Sequence, residues 1–467
     1  MKIAFCSSEV VPFAKTGGLA DVCGTLPLAL KKLGQEIIVI LPYYKVIDDE
    51  KFDLKPLGRG VFTTTIGHNI QVYFIENDKF FGRDELYGDK HGDYKDNLQR
   101  FSFFCRRALE ILKEFDLQVN IVHCHDWQTA LIPIYLKTNL KDDPFYKKIK
   151  SILTIHNMAY QGVFSKNEFS VLGLNKDLFS IHGLEFYDQV NLLKGGIIFS
   201  DVVTTVSPTY AKEIQTKEFG CGLEGVLRHR KKKVVGILNG LDYDAWNPAI
   251  DPLIAVNYTA QSPNKKLANK ETLQKTLGLA IDKDTAVFGF VGRMTHQKGV
   301  DLILESIEEL MSFDIQLALL GIGEQKYMEA LKQVSRRYPT KVAVHLQFNE
   351  PLAHQIYAGS DFFLMPSVFE PCGLSQMIAL RYGTIPIVYK VGGLADTITS
   401  YKDGGHGFIF SKYTADDFIK VVKEAIKVFH QREKFLELVA RAFACNFSWE
   451  QSARHYVDLF KETVGHG

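Results

Sequence analysis

Four short stretches hold side chains able to do chemistry. Lys15-Thr16-Gly17-Gly18 puts a cation and two glycines into one turn, and glycine lets free backbone N–H groups come close to an anion. The spacing is neither the dinucleotide fingerprint nor the Walker loop, so by itself it also describes a plain strand-to-helix connection. Gly292 to Gly299 carries Arg293 and Lys298, a fork donor and a point charge that suit one diphosphate, or else form a solvated basic loop. Glu370, within Pro366 to Gly373, either caps a helix or accepts hydrogen bonds from sugar or ribose hydroxyls. Cys372 beside it, at an expected helix start, reads as more easily alkylated than a core thiol. The fourth group is His123, His125, Asp126 and His156. Strand alternation puts His123 and His125 on one face, which allows a metal-dependent hydrolase as well as plain hydrogen-bonding histidines.

These groups must be placed by the elements around them. Apolar runs bounded by turn residues alternate with helical stretches: Lys2 to Glu9, Leu19 to Leu33, Ile37 to Leu41. That alternation predicts βαβ units and a parallel sheet. It continues at Asn120 to His123, Ser151 to His156 and Val202 to Val206. A second series starts at Ala286 to Val291 and runs through Gln316 to Leu320, Val342 to Leu346, Asp361 to Met365 and Ile385 to Val388. Each motif then follows a strand, at the end where open α/β sheets bind ligands. The sequence Gly-Gly-Leu-Ala-Asp occurs at Gly17 to Asp21 and again at Gly392 to Asp396. Both copies open an expected helix, as a chance echo or as a pair of diphosphate-binding helix ends. Asn247 to Pro263 has three prolines and little periodicity, which marks it as an interdomain linker.

At 467 residues the chain exceeds the size of one growing core, so two domains are expected. A net charge of +1 gives no electrostatic reason for a nucleic-acid or membrane partner. The N-terminal run, cut by Ser7, Ser8 and Glu9, reads as a first strand rather than a signal peptide. Seven cysteines without paired spacing suggest reduced thiols and a cytoplasmic location.

Taken in order, Lys15 to Asp21, His125-Asp126-Trp127, His156-Asn157, Asn239-Gly240, Arg293 to Gly299, Glu370 to Leu374 and Gly392 to Asp396 make the chain resemble the bacterial glycogen synthase and starch synthase family. The resemblance implies two Rossmann-like doubly wound α/β domains facing across a cleft, of the GT-B type. It also implies retaining transfer of glucose from ADP-glucose to the non-reducing end of an α-1,4-glucan, with no metal. The domains would be 1–246, on the acceptor side, and 264–450, for the nucleotide sugar, joined by 247–263, with 451–467 crossing back as a helix. By the same comparison Lys15, Gly17 and Gly18 lie at the donor phosphate, Arg293 and Lys298 on the diphosphate, and Asp21 and Glu370 on sugar or ribose hydroxyls. Phe348 stacks on adenine, and Asn239, Cys372, Gly392, Gly393 and Leu394 complete the donor site. Asp126, His156 and Asn157 meet the acceptor, with His156 also bordering the transferred glucose. Catalysis is expected from Lys15, His156, Arg293, Lys298 and Glu370. The chain departs from related transferases at Ile378, where many have a second glutamate, and from bacterial members at Val368, where arginine is common. Two alternatives stay open: another nucleotide-sugar transferase of the same fold, and a metal-dependent hydrolase built on His123, His125 and His156. Retention ordinarily uses a carboxylate nucleophile near its acid partner; with no such pair in the sequence, front-face attack within an ion pair is the expected mechanism.

Overall fold

The computed structural model describes residues 1–230 and 234–465. The chain divides into two compact units, Met1–Gly240 with the stretch from Trp449 onward, and Leu241–Ser448.

The first unit is built on a nine-stranded sheet. Across the sheet the order is Val235–Gly236, Val202–Thr205, Lys150–Ile155, Ile121–His125, Lys2–Cys6, Glu36–Pro42, Ile70–Ile75, Val61–Ile66 and Lys55–Gly58. All neighbours pair in parallel except the last two strands, which are antiparallel. Ile3, Ala4 and Phe5 are fully buried, as a strand covered by helices on both faces must be. Chain order reverses between Lys2–Cys6 and Ile121–His125, which are direct neighbours. Such a reversal opens a crevice at the carboxyl ends of the two strands. Into it lead Ser7 to Gly17 on one side and Asp126 on the other.

The second unit has a six-stranded, wholly parallel sheet. Its order is Val342–His345, Ile315–Leu320, Ala286–Val291, Phe362–Met365, Ile385–Tyr389, Phe408–Phe410. Numbered along the chain this is 3-2-1-4-5-6, the dinucleotide-fold order. The reversal falls between Ala286–Val291 and Phe362–Met365, whose carboxyl ends feed the Gly292 to Gly299 and Pro366 to Gly373 loops.

The segment expected as a linker, Asn247 to Pro263, lies inside the second unit. Buried Asp251 accepts from the Tyr382 hydroxyl at 2.5 Å and pairs with His354 at 2.7 Å, while Tyr258 donates to the Tyr382 carbonyl at 2.8 Å. Its irregular pattern reflects anchoring by side chains rather than by a helix of its own. The helix Trp449–Gly465 belongs to the first unit, where Tyr456 and Phe460 pack at 5.6 and 5.8 Å from the His123 ring. Among the described residues no disulfide joins the cysteines, and no helix is long and apolar enough to cross a membrane.

Candidate active site

In the first unit the Lys15 turn is shaped from beneath by Glu9. Glu9 is 3 % exposed, and its Oε2 accepts the backbone N–H groups of Thr16 at 2.5 Å and Gly17 at 3.2 Å. Its Oε1 accepts the Thr16 hydroxyl at 2.7 Å and the Tyr87 hydroxyl at 2.6 Å. The helix Gly18–Lys32 starts immediately after, with no side-chain cap. Its first N–H groups are those that a helix leaves without internal partners. A Cβ on Gly17 or Gly18 would meet nothing within 4 Å. The space above both glycines is therefore open, and packing does not require glycine there. Lys15 pairs with Asp21 at 2.7 Å.

At the adjoining strand ends the histidines crowd together. His123 and His125 do share a face, with ring centroids 4.3 Å apart. His125 Nδ1 shares a hydrogen bond with His156 Nε2 at 3.0 Å, and His123 Nε2 meets the Thr154 hydroxyl at 2.7 Å. Burial lowers all three: His123 and His156 to about 3, and His125 well below its usual value. They are neutral near pH 7. Cys23 lies with His125 and His156, their ligand atoms all within 4.8 Å of one another. Burial pushes its thiol far up, and His125 Nδ1 and His156 Nε2 are already bonded to each other. Asp126, with φ 56°, accepts the His156 backbone N–H at 2.7 Å. Burial raises its carboxyl to about 7, against the pull of the His156 and Asn157 N–H groups. Asn157 turns inward on its own loop, accepting from the Ala159 N–H at 3.0 Å. Asn239 is 6 % exposed, and its Oδ1 has no hydrogen-bond partner among the described residues.

In the second unit the two switch-point loops are stitched together. Val368 N–H donates to the Gln297 carbonyl at 2.9 Å, and Lys298 Nζ reaches Glu370 Oε2 at 2.6 Å. Ser367 donates to the same oxygen at 3.0 Å. A Cβ on Gly299, at φ 74°, would lie 2.0 Å from the Pro366 carbonyl oxygen, so only glycine permits this approach. Exposed Arg293 donates to Gln297 at 2.9 Å. Gly393 N–H donates to the Glu370 carbonyl at 3.0 Å, which ties the second Gly-Gly-Leu-Ala-Asp copy to Glu370. Here, unlike at Gly17, there is no space: a Cβ on Gly393 would lie 2.1 Å from the Cys372 carbonyl oxygen. Gly392 has φ 45° and Leu394 is fully buried. Cys372 is only 4 % exposed, which corrects the expectation of an accessible thiol. Phe348 stands 84 % exposed beyond the strand Val342–His345.

Sequence reading missed Glu9, Tyr87, Cys23 and Thr295. Thr295 places a buried hydroxyl oxygen without a partner among the described residues, inside the Arg293 to Gly299 loop. Glu9 carried one legible signal, an acid at the end of a buried strand leading to a glycine turn.

Residues 2–229 match the family model described as starch synthase catalytic domain, and 274–437 that of glycosyl transferases group 1. A glycogen synthase of Desulforamulus reducens is 47 % identical over the whole of both chains. The chain belongs to the glycogen synthase family. Another member, from Geotalea uraniireducens, is 45 % identical over 99 % of this chain and 98 % of its own. The catalytic domain of starch synthase IV from Arabidopsis thaliana, bound to ADP and acarbose, matches with TM-score 0.92 at 35 % identity, covering 99 % of each chain. A sucrose-phosphate synthase from Thermosynechococcus elongatus shares the fold alone, with TM-score 0.62 at 15 % identity. As a glycogen synthase family member of GT-B fold, the chain is a hexosyltransferase that adds glucose to a glucan. Family membership decides against the hydrolase reading of His123, His125 and His156.

Proposed function

We propose that the donor is ADP-glucose and that glucose passes with retention to the non-reducing end of an α-1,4-glucan, in the cytoplasm and without a metal. The observation that carries this reading is the placement of a lysine and a carboxylate at each sheet's switch point: Lys15 with Asp21, and Lys298 with Glu370. A departing nucleoside diphosphate gains negative charge, which preorganised cations and N–H groups stabilise. Lys15 and the amide of Gly18 take the distal phosphate, with Gly17 leaving room for it; Arg293 and Lys298 take the diphosphate. Asp21 and Glu370 then accept sugar or ribose hydroxyls, with Cys372, Gly392, Gly393 and Leu394 forming the wall behind Glu370. Asn239 Oδ1, without a partner among the described residues, accepts from a sugar hydroxyl, and exposed Phe348 offers a face for adenine. Neutral His156 borders the glucose, and Asp126 and Asn157 orient the acceptor. The acceptor hydroxyl attacks from the face the diphosphate leaves, giving its proton to the departing phosphate oxygen. The relative bound to ADP and acarbose supports both the nucleotide and the glucan-like ligand. Transfer of labelled glucose to glycogen, compared for ADP-glucose and UDP-glucose with EDTA present, tests it. Faster transfer from UDP-glucose, or loss of activity in EDTA restored by a divalent ion, would overturn the respective part.

A further inference from the structure

We infer that Glu9, held by Tyr87, is a positioning residue for donor binding: it fixes the Lys15 turn with its phosphate-facing groups outward, without touching the substrate. The inference rests on the proposed role of that turn. A carboxylate has about four acceptor sites, and four donors converge on Glu9 from Thr16 N, Gly17 N, Thr16 Oγ1 and Tyr87 OH. Such a buried acid is anchored rather than poised for proton transfer. Two of the turn's own N–H groups are thereby directed inward. Those remaining for a phosphate are the first of the helix, starting at Gly18.

Tyr87 carries this anchor to the body of the unit. Its hydroxyl also meets the Ser8 hydroxyl at 2.7 Å, and its carbonyl accepts from Asn97 Nδ2 at 2.9 Å. Asn97 in turn accepts from fully buried Arg100 at 2.7 Å. Burial and the nearby Glu9 push the Tyr87 phenol far above its usual range, so it remains a donor. The turn is thus fastened through side chains to the helix Asn97–Glu114. A negative group near a phosphate site would by charge alone weaken binding. The two effects therefore predict opposite signs.

The experiment compares Glu9→Ala, Glu9→Gln, Tyr87→Phe and Lys15→Ala in the full chain, by ADP titration and by kinetics with ADP-glucose and glycogen varied separately. If Glu9 positions the turn, losing its hydrogen bonds outweighs the relief of charge repulsion and Glu9→Ala weakens ADP binding, by up to about tenfold on the scale of hydrogen bonds to a charged group. Glu9→Gln recovers part of it, since one amide oxygen still receives the two N–H groups. Tyr87→Phe, which removes one donor and keeps the ring, costs roughly threefold. The KM for glycogen stays within about twofold throughout. Tighter ADP binding by Glu9→Gln would show that charge repulsion dominates and would overturn the inference. So would equal losses toward both substrates, or unchanged ADP binding in Tyr87→Phe and Glu9→Gln while Lys15→Ala weakens it. Should Lys15→Ala also leave ADP binding unchanged, the placement of the phosphate itself fails.

Discussion

The two Gly-Gly turns share five residues of sequence and differ in what fills the space above them, so alanine should separate ligand space from packing space. At Gly18 a Cβ meets nothing within 4 Å, and the residue opens a helix without a left-handed φ. Gly18→Ala should therefore hold or raise stability, by about 0.4–1 kcal/mol through the lost freedom of the unfolded chain. If phosphate comes down onto that N–H, the same methyl group displaces it. Losing a hydrogen bond to a charged group costs about 1.5–3 kcal/mol, a fall in kcat/KM for the donor of roughly tenfold to a hundredfold. At Gly393 a Cβ lies 2.1 Å from the Cys372 carbonyl oxygen and 2.5 Å from its Cα, where ordinary contact begins at 3.4 Å. Backbone on both sides must move, at about 1–3 kcal/mol or more, and the Gly393 bond to the Glu370 carbonyl moves with it. Gly393→Ala should thus lose stability and activity together. Urea midpoints and donor-varied kinetics on both variants provide the assay. Unaltered donor kinetics in a stable Gly18→Ala would refute the idea that the open space belongs to the phosphate.

Three further outcomes follow from the same geometry. Lys298→Ala should lower kcat roughly a hundredfold and raise KM less, if its ammonium meets the leaving group mainly as charge develops; Lys298→Arg should recover only part, and equal mild losses in Lys298→Ala and in Lys283→Ala, an exposed lysine just before the strand Ala286–Val291 that serves as control, would make the Arg293 to Gly299 loop a mere surface. Phe348→Ala should leave stability unchanged, since Phe348 is 84 % exposed, and weaken ADP binding by about 1–3 kcal/mol of lost base stacking, whereas Phe348→Tyr should not. Asp126, raised to about 7 by burial, binds its proton more tightly folded than unfolded, so its own contribution to stability falls as pH rises from about 4 to about 7. Asp126→Asn removes that term, so its stability relative to the parent should climb across this window by up to about 4 kcal/mol and level off above it; a difference constant with pH would contradict the raised value.

What the sequence made legible follows from where each signal arises. The central strands stood out because both faces of each sheet are buried, so runs such as Ala286–Val291 and Ile385–Tyr389 are apolar throughout. The antiparallel edge Lys55–Gly58, Val61–Ile66 and Ile70–Ile75 and the small sheet of Val163–Ser165, Glu185–Phe186 and Gln189–Asn191 did not stand out. Most of these strands are short or half exposed, and pattern then carries little; Ile70–Ile75, six residues long and almost wholly buried, is missed despite a legible apolar run. Lys15, Arg293, Lys298 and Glu370 were readable because charge and glycine stand together in the chain. Glu9 was not, because its meaning comes from Tyr87, 78 residues away. Asp251 fails to register for the same reason: Tyr382 and His354, which hold it, are 131 and 103 residues away. Cys372 misled because a local context of acid and helix start carries no information about burial, and the residue is 4 % exposed.

The two lysine and carboxylate pairs differ in what it takes to open them. Lys15 and Asp21 have side chains 51 % and 33 % exposed, so water replaces either partner readily and the pair is worth at most about 1 kcal/mol. Lys298 and Glu370 are 21 % and 7 % exposed. If Lys298 turns toward a phosphate, Glu370 keeps the Ser367 hydroxyl but loses its cation in a place where water scarcely reaches. A buried carboxylate left short of donors is costly, and a ligand hydroxyl arriving at the same moment offsets that cost. On the proposed roles, phosphate alone should suffice for the Lys15 turn, whereas engaging Lys298 should ask for a ligand that brings an anion and a hydroxyl together. A nucleotide sugar meets that demand, and inorganic pyrophosphate does not.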